Sequence, residues 1–196
     1  MGCLKFPRIH LYWSSRFKLP VIADAIPRDR LYLLRVNLHI VDVCTVTEEI
    51  KKNNRLWRVQ PMIDLVRSRC RELKRESEAA FSIDEQMIPF LGRCALRQYV
   101  KNKPRPVGLK NFVLSKSDGT VLDFEIYQGT STNLRNKELG LGPSVNLRLV
   151  ETLPVNSFVF FDRYFSTIPL LLKLSELGIN GTGTIKNNRF KADPKI

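Results

Sequence analysis

Two aspartates each close an apolar run: Asp84 in Phe81-Ser82-Ile83-Asp84-Glu85-Gln86, and Asp162 in Phe158-Val159-Phe160-Phe161-Asp162. A carboxylate at the end of a buried strand sits at the edge of a core, where it must be solvated, paired or bound to a cation, because burial without a partner is costly. Two such groups invite a divalent ion. Their hard oxygens suit Mg²⁺ or Mn²⁺, ions that keep several waters and take phosphate oxygens as further ligands. The competing reading is structural, since strands often end in Asp only because Asp favours the turn that follows.

The residues around the two acids spell out an α/β order. A strand over 81–83 leads into an extended basic stretch, and strands over 109–115 and 121–127 flank the hairpin turn Ser117-Asp118-Gly119. In the second of these, Leu122, Phe124 and Ile126 alternate with Asp123, Glu125 and Tyr127, which predicts one core face and one wetter face. A helix is predicted from Ser144 through Leu153, then a buried strand over 158–161. Thr167 caps the next helix, with Pro169 in its first turn and Gly178 as its terminator, and a last short strand covers 179–185. Upstream, apolar spacing predicts a helix over 27–40 and another from Pro61. In the second, Met62, Ile63, Leu65, Val66, Cys70 and Leu73 form the apolar face, while Arg67, Arg69, Arg71, Lys74 and Arg75 form the solvated one. Lys51-Lys52-Asn53-Asn54-Arg55 reads as an exposed loop. The expected division is a helical N-terminal region over 1–78 and a domain built on a sheet over 79–196.

The bulk numbers narrow the partners. With 43% apolar and 26% charged residues among 196, the chain is of the soluble globular class. No apolar run approaches the ~18–20 residues of a membrane span. The opening Met1-Gly2-Cys3-Leu4-Lys5-Phe6 has no secretory apolar region, and Phe6 breaks the myristoylation pattern, so an intracellular protein is expected. Cys3, Cys44, Cys70 and Cys94 are widely scattered, which argues against a zinc site and for reduced thiols. His10 and His39 are isolated in sequence from the acids. A net charge of +13 and a pI near 9.9 make nucleic acid the default partner. Between Gln86 and Ser117 there is no acid, while Arg93, Arg97, Lys101, Lys103, Arg105 and Lys110 are candidates for phosphate contact, with Pro104 and Pro106 as stiffeners and Tyr99 as a stacking surface. Arg163, beside Asp162, is a further candidate. As a third acid near the pair, Glu151 lies late in its helix and Glu85 points to the opposite strand face from Asp84, so a solvated surface role is preferred for both.

Four stretches carry a family resemblance: Phe81-Ser82-Ile83-Asp84-Glu85-Gln86-Met87, Gly92-Arg93-Cys94, Lys101-Asn102-Lys103-Pro104 with Gly108-Leu109-Lys110, and Phe161-Asp162-Arg163-Tyr164-Phe165-Ser166-Thr167-Ile168-Pro169-Leu170. In this order and spacing they resemble the transposase domain of piggyBac transposases and their host-domesticated relatives, densely over 80–189 and with a weaker echo from Pro27. The resemblance implies the N-terminal part of a ribonuclease-H-like DDE transposase domain in which the first and fourth strands lie side by side. It implies catalytic and metal-binding roles for Asp84 and Asp162, Mg²⁺ or Mn²⁺ as the cofactor with no small-molecule cofactor, DNA as partner, a homodimer and a nuclear location. The whole enzyme would excise and reinsert DNA at TTAA through hydrolysis and strand transfer. In that family a third catalytic Asp lies well downstream, and Ile196 is reached before any matching position, so no cleavage is expected of these 196 residues. The family's C-terminal cysteine-rich zinc module has no match here. The rival reading is a domesticated, non-catalytic DNA-binding or chromatin-associated protein.

Overall fold

The computed structural model describes residues 6–101, 103–132 and 134–189, and the chain divides into two compact units at Asp42 and Val43. Cys3 lies outside the described residues. In the first unit a 3₁₀ turn over Ile9–Trp13 is followed by helices α1 (Pro20–Ala23) and α2 (Arg28–Asn37). Tyr12 is buried against the edge of the Phe6 ring, 4.9 Å between centroids. The Trp13 indole donates to the Ile26 carbonyl at 2.8 Å. Pro27 stands just before α2 in extended geometry, where its missing N–H costs nothing.

The second unit holds helices α3 (Glu48–Asn53) and α4 (Gln60–Glu72), then strands β1 (Ala80–Pro89), β2 (Arg97–Tyr99), β3 (Val107–Lys116) and β4 (Val121–Ile126), helix α5 (Leu141–Val150), strand β5 (Phe158–Phe161), helix α6 (Ile168–Glu176) and strand β6 (Asn180–Gly183). The sheet order is β2-β3-β1-β5-β6, with β4 also on β3. β3 runs antiparallel to β1 and β4, whereas β5 and β6 run parallel to β1. The hairpin turn forms where expected, with Gly119 at φ 85° and Asp118 Oδ1 accepting from the Thr120 amide at 2.8 Å. Phe81, Ile83, Phe112, Leu114, Val159 and Phe161 of the sheet form the main core with Val145 and Leu149 of α5 and Leu170 and Leu174 of α6.

Several expectations change. β1 does not close at Asp84: it runs on to Pro89 because β3 pairs along it, so Asp84 sits in mid-strand opposite Val113. Residues 51–53 are helical: Thr47 accepts from the Ile50 amide, Glu48 and Glu49 occupy the first turn and Lys51 and Lys52 the last, an arrangement that suits the helix dipole. The wetter face of β4 is buried, with Asp123 at 0% and Glu125 at 5% exposure. Arg67, Arg71 and Arg75 turn toward β4 while Arg69 and Lys74 stay exposed, and of the expected apolar face Ile63 and Cys70 pack inward whereas Met62, Leu65, Val66 and Leu73 are exposed. These last two changes are one event. Among the described residues β4 is bonded to β3 alone, so its outer carbonyls face no strand. Arg67 donates to Phe124 O at 3.2 Å and Arg75 to Leu122 O at 2.9 Å, so guanidinium groups of α4 and the segment after it stand where a neighbouring strand would bond. The sheet thus carries its own edge cover from residues upstream of 79, and the compact unit begins at Val43.

Candidate functional site

The last paired residues of β1 and β5 are Ile83 and Phe161, and the next residue on each strand is Asp84 and Asp162. The two acids therefore stand at the same level where β5 ends, Asp84 within β1 and still paired with Val113 of β3, Asp162 just past β5, on strand axes about 4.8 Å apart. Both side chains are exposed. Each has one oxygen occupied locally: Asp84 Oδ1 accepts from the Glu85 amide at 2.7 Å, and Asp162 Oδ1 from the Tyr164 amide at 2.8 Å. The remaining carboxylate oxygens are hard donors on the sheet where β5 ends, a set that fits Mg²⁺ or Mn²⁺.

The turn after Asp162 explains the spacing of its motif. The Asp162 carbonyl accepts from the Phe165 amide at 3.2 Å and from the Ser166 hydroxyl at 2.9 Å, while the Phe165 ring is fully buried beneath it. Helix α5 presses on the same turn through Gly142, where an added Cβ would lie 2.8 Å from the Tyr164 carbonyl. Arg189 donates to the carbonyls of Arg163, Tyr164 and Ser166 at 3.0, 3.1 and 2.9 Å. Nothing in the sequence marks Arg189 for this, because carbonyl acceptors have no side-chain signature.

Glu85 alternates to the core face of β1, away from Asp84, and its carboxylate lies 2.7 Å from Lys110 and 3.5 Å from Lys103. Burial pushes the Glu85 carboxyl up, but the hydrogen bonds and charges of the two lysines outweigh it and hold it below the ordinary range. Glu151 sits at the C-terminal end of α5, exposed. Among the described residues no group of three His, Cys, Asp or Glu is placed to hold a metal ion.

Of the basic candidates, Arg93, Lys101, Arg105 and Arg163 have exposed side chains. Arg97 is also exposed and donates to the Leu91 and Gly92 carbonyls at 3.2 and 3.4 Å. Lys103 is half-buried beside Glu85, and Lys110 is only 13% exposed, over the Tyr164 and Phe112 rings at 4.4 and 5.0 Å. The distinction was not legible from charge, because Glu85 neutralises lysines far from it in sequence. Tyr99 stands 70% exposed on β2. A cleft of about 600 Å³ opens elsewhere, where α3 and α4 face Glu125, Gln128 and Arg148. Its charged walls bond to one another, Arg67 and Arg148 to Glu125, so Asp84 and Asp162 remain the site with chemistry to offer.

A sheet in which two parallel strands extend an antiparallel set, with an acid within β1 beside one just past β5, is the ribonuclease-H-like fold of DDE transposases. A family model described as "Transposase IS4" matches residues 1–195. Over 199 residues the chain is 30% identical to "PiggyBac transposable element-derived protein 3" of Homo sapiens, covering 98% of this chain and 33% of that protein. Over 200 residues it is 30% identical to the human "PiggyBac transposable element-derived protein 2", with the same two coverages. In "Cryo-EM structure of piggyBac transposase synaptic complex with hairpin DNA" a chain 26% identical superposes with a TM-score of 0.78, covering 90% of this chain and 37% of that one. The chain belongs to the piggyBac type of the DDE transposase family. It spans about a third of the length of these relatives.

Proposed function

We propose that the chain supplies the first two acids of a piggyBac-type catalytic site, Asp84 and Asp162, on a basic surface that binds DNA in the nucleus. The observation that carries the proposal is the register of β1 on β5, in which Ile83 pairs with Phe161 and both acids follow at once. When bound, a divalent cation would polarise a phosphate oxygen and lower the pKa of a coordinated water. The two carboxylates would hold it, and the turn bonds at Glu85 and Tyr164 would keep one oxygen of each acid fixed. DNA as partner is supported by the hairpin DNA in the related synaptic complex and by the net charge of +13. Among the described residues no helix is long and apolar enough to cross a membrane.

Two carboxylates hold one cation where phosphodiester cleavage by paired ions requires more ligands. These 196 residues by themselves are expected to bind DNA and a cation without cutting. The test is nicking of duplex DNA carrying TTAA flanks in Mg²⁺ or Mn²⁺, with binding measured in parallel. Binding without nicking is expected. Nicking that disappears in Asp84→Ala would mean that another group completes the site, and absence of binding at low salt would overturn the DNA assignment.

A further inference from the structure

Lys110 is the most enclosed of the basic residues that charge alone marks for phosphate, and its surroundings assign it a different task. Its ammonium lies 2.7 Å from the Glu85 carboxylate, the residue next to Asp84 on β1. The same ammonium lies 4.4 Å from the centre of the Tyr164 ring, whose amide holds Asp162 Oδ1. Below it, Phe112 of β3 stacks on Tyr164 at an interplanar angle of 13°, and Tyr164 meets the buried Phe165 edge-on at 5.1 Å. One side chain on β3 thus touches the neighbour of one acid and the turn that orients the other. The Ser166 hydroxyl closes the Asp162 turn on itself and Arg189 ties it to the segment after β6, but these bonds do not reach β1. The β1–β5 ladder ends at the Ile83–Phe161 pair, and Asp84 and Asp162 form no further pair in it.

We propose that Lys110 is a positioning residue: its ammonium, paired with Glu85 and seated on Tyr164, sets the placement of Asp162 relative to Asp84 and thereby the affinity of the pair for a divalent cation. The inference rests on the reading of these two aspartates as a cation site. The chemistry suits the task. A cation on an aromatic face within ~6 Å is attracted most where water is excluded, and Lys110 has a 13% exposed side chain. Glu85 at 2.7 Å offsets the charge of the ammonium, although Lys103 shares the same carboxylate at 3.5 Å. A neutral side chain of similar length would fill the space but lose both attractions, leaving the Asp162 turn to relax away from β1.

The test uses the whole chain and Mn²⁺ alone, with dissociation constants from isothermal titration and backbone amide spectra recorded without metal. Lys110→Met should weaken Mn²⁺ binding about tenfold, and Lys110→Arg should restore it to within about threefold. The metal-free amide signals of Asp162 and Tyr164 should shift in Lys110→Met and return towards their original positions in Lys110→Arg. A merely structural role would lower the melting temperature and leave the Mn²⁺ constant, measured well below it, unchanged. Unchanged Mn²⁺ affinity and unchanged Asp162 and Tyr164 signals in Lys110→Met overturn the proposal. Asp84→Asn and Asp162→Asn separate the two ideas. If neither weakens Mn²⁺ binding, the cation site is wrong and so is Lys110's effect on it, whereas loss of binding in both with no response in Lys110→Met refutes Lys110 alone.

Discussion

One sheet carries two pairs of acids that met opposite fates. Asp123 and Glu125 on β4 are buried and ringed by arginines: Arg71 and Arg148 each lie 2.8 Å from Asp123, and Arg67 lies 3.2 Å from Glu125. Asp84 within β1 and Asp162 just past β5 are exposed, and each accepts from a backbone amide one or two residues on. The first pair stands on an edge strand, where α4 covers the open carbonyls and its guanidinium groups come with it. The second pair stands just past the point where β1 and β5 stop pairing, on the side of β1 that β3 does not cover. Residue type does not separate a structural carboxylate from one able to bind a ligand. What separates them is whether protein cations already occupy the oxygens.

The sharpest way to break this contrast is to delete one acid from each pair. Asp123→Ala leaves Arg67, Arg71 and Arg148 with an unmatched buried charge and should cost about 3–5 kcal/mol in urea unfolding, whereas Asp84→Ala should stay within about 0.5 kcal/mol because its acid is exposed. Equal losses would remove the distinction. Binding should reverse the ranking. Asp84→Ala and Asp162→Ala should each weaken Mn²⁺ about tenfold or more, while Glu125→Gln should leave it within about twofold, as read by titration calorimetry. DNA tests the basic surface around the exposed pair. Affinity should fall steeply from ~50 to ~200 mM salt, and replacing Arg93, Lys101, Arg105 and Arg163 with Ala should flatten the log–log slope by about 0.9 for each phosphate no longer neutralised. An unchanged slope would move the DNA elsewhere on the molecule.

The smallest effect is in pH. Burial pushes the Glu125 carboxyl up, and Arg67 and Arg148 bring it only part of the way back. A raised folded pKa means that the contribution of Glu125 is fully present below its unfolded value of about 4.3 and is lost as pH rises through the folded value. The stability of the unsubstituted chain relative to Glu125→Gln should therefore decline over that rising window. Glu85, held low by Lys110 and Lys103 against its burial, should behave oppositely. Its advantage over Glu85→Gln is present above about 4.3 and disappears as pH falls through the depressed folded value. Slopes of the same sign in metal-free unfolding curves would show that the arginine and lysine settings do not differ as described.

Much of the scaffold was readable because its signals are local. The Ser117-Asp118-Gly119 turn, the Thr167 cap, whose hydroxyl accepts from the Leu170 amide at 3.3 Å, and the Gly178 stop at φ 70° each need only a few neighbouring residues. Asp162 at the end of its apolar strand was legible for the same reason, and the Asp162-x-x-Phe165-Ser166 spacing encodes a turn that closes on itself, whereas Asp84 falls in mid-strand because β3 extends β1 to Pro89. Tertiary structure alone decided what lay across from each charge. Alternation placed Asp123 and Glu125 on one face of β4, but only the docking of α4 on an open edge buried them and turned arginines inward. Charge counting marked Lys110 as a contact for DNA, yet the pairing of β1 with β3 set it between Glu85 and Tyr164. The pattern of apolar residues determines which faces are buried, because that pattern is periodic and local. Which ions meet depends on strands and helices brought together from distant parts of the chain, and no sequence period records that.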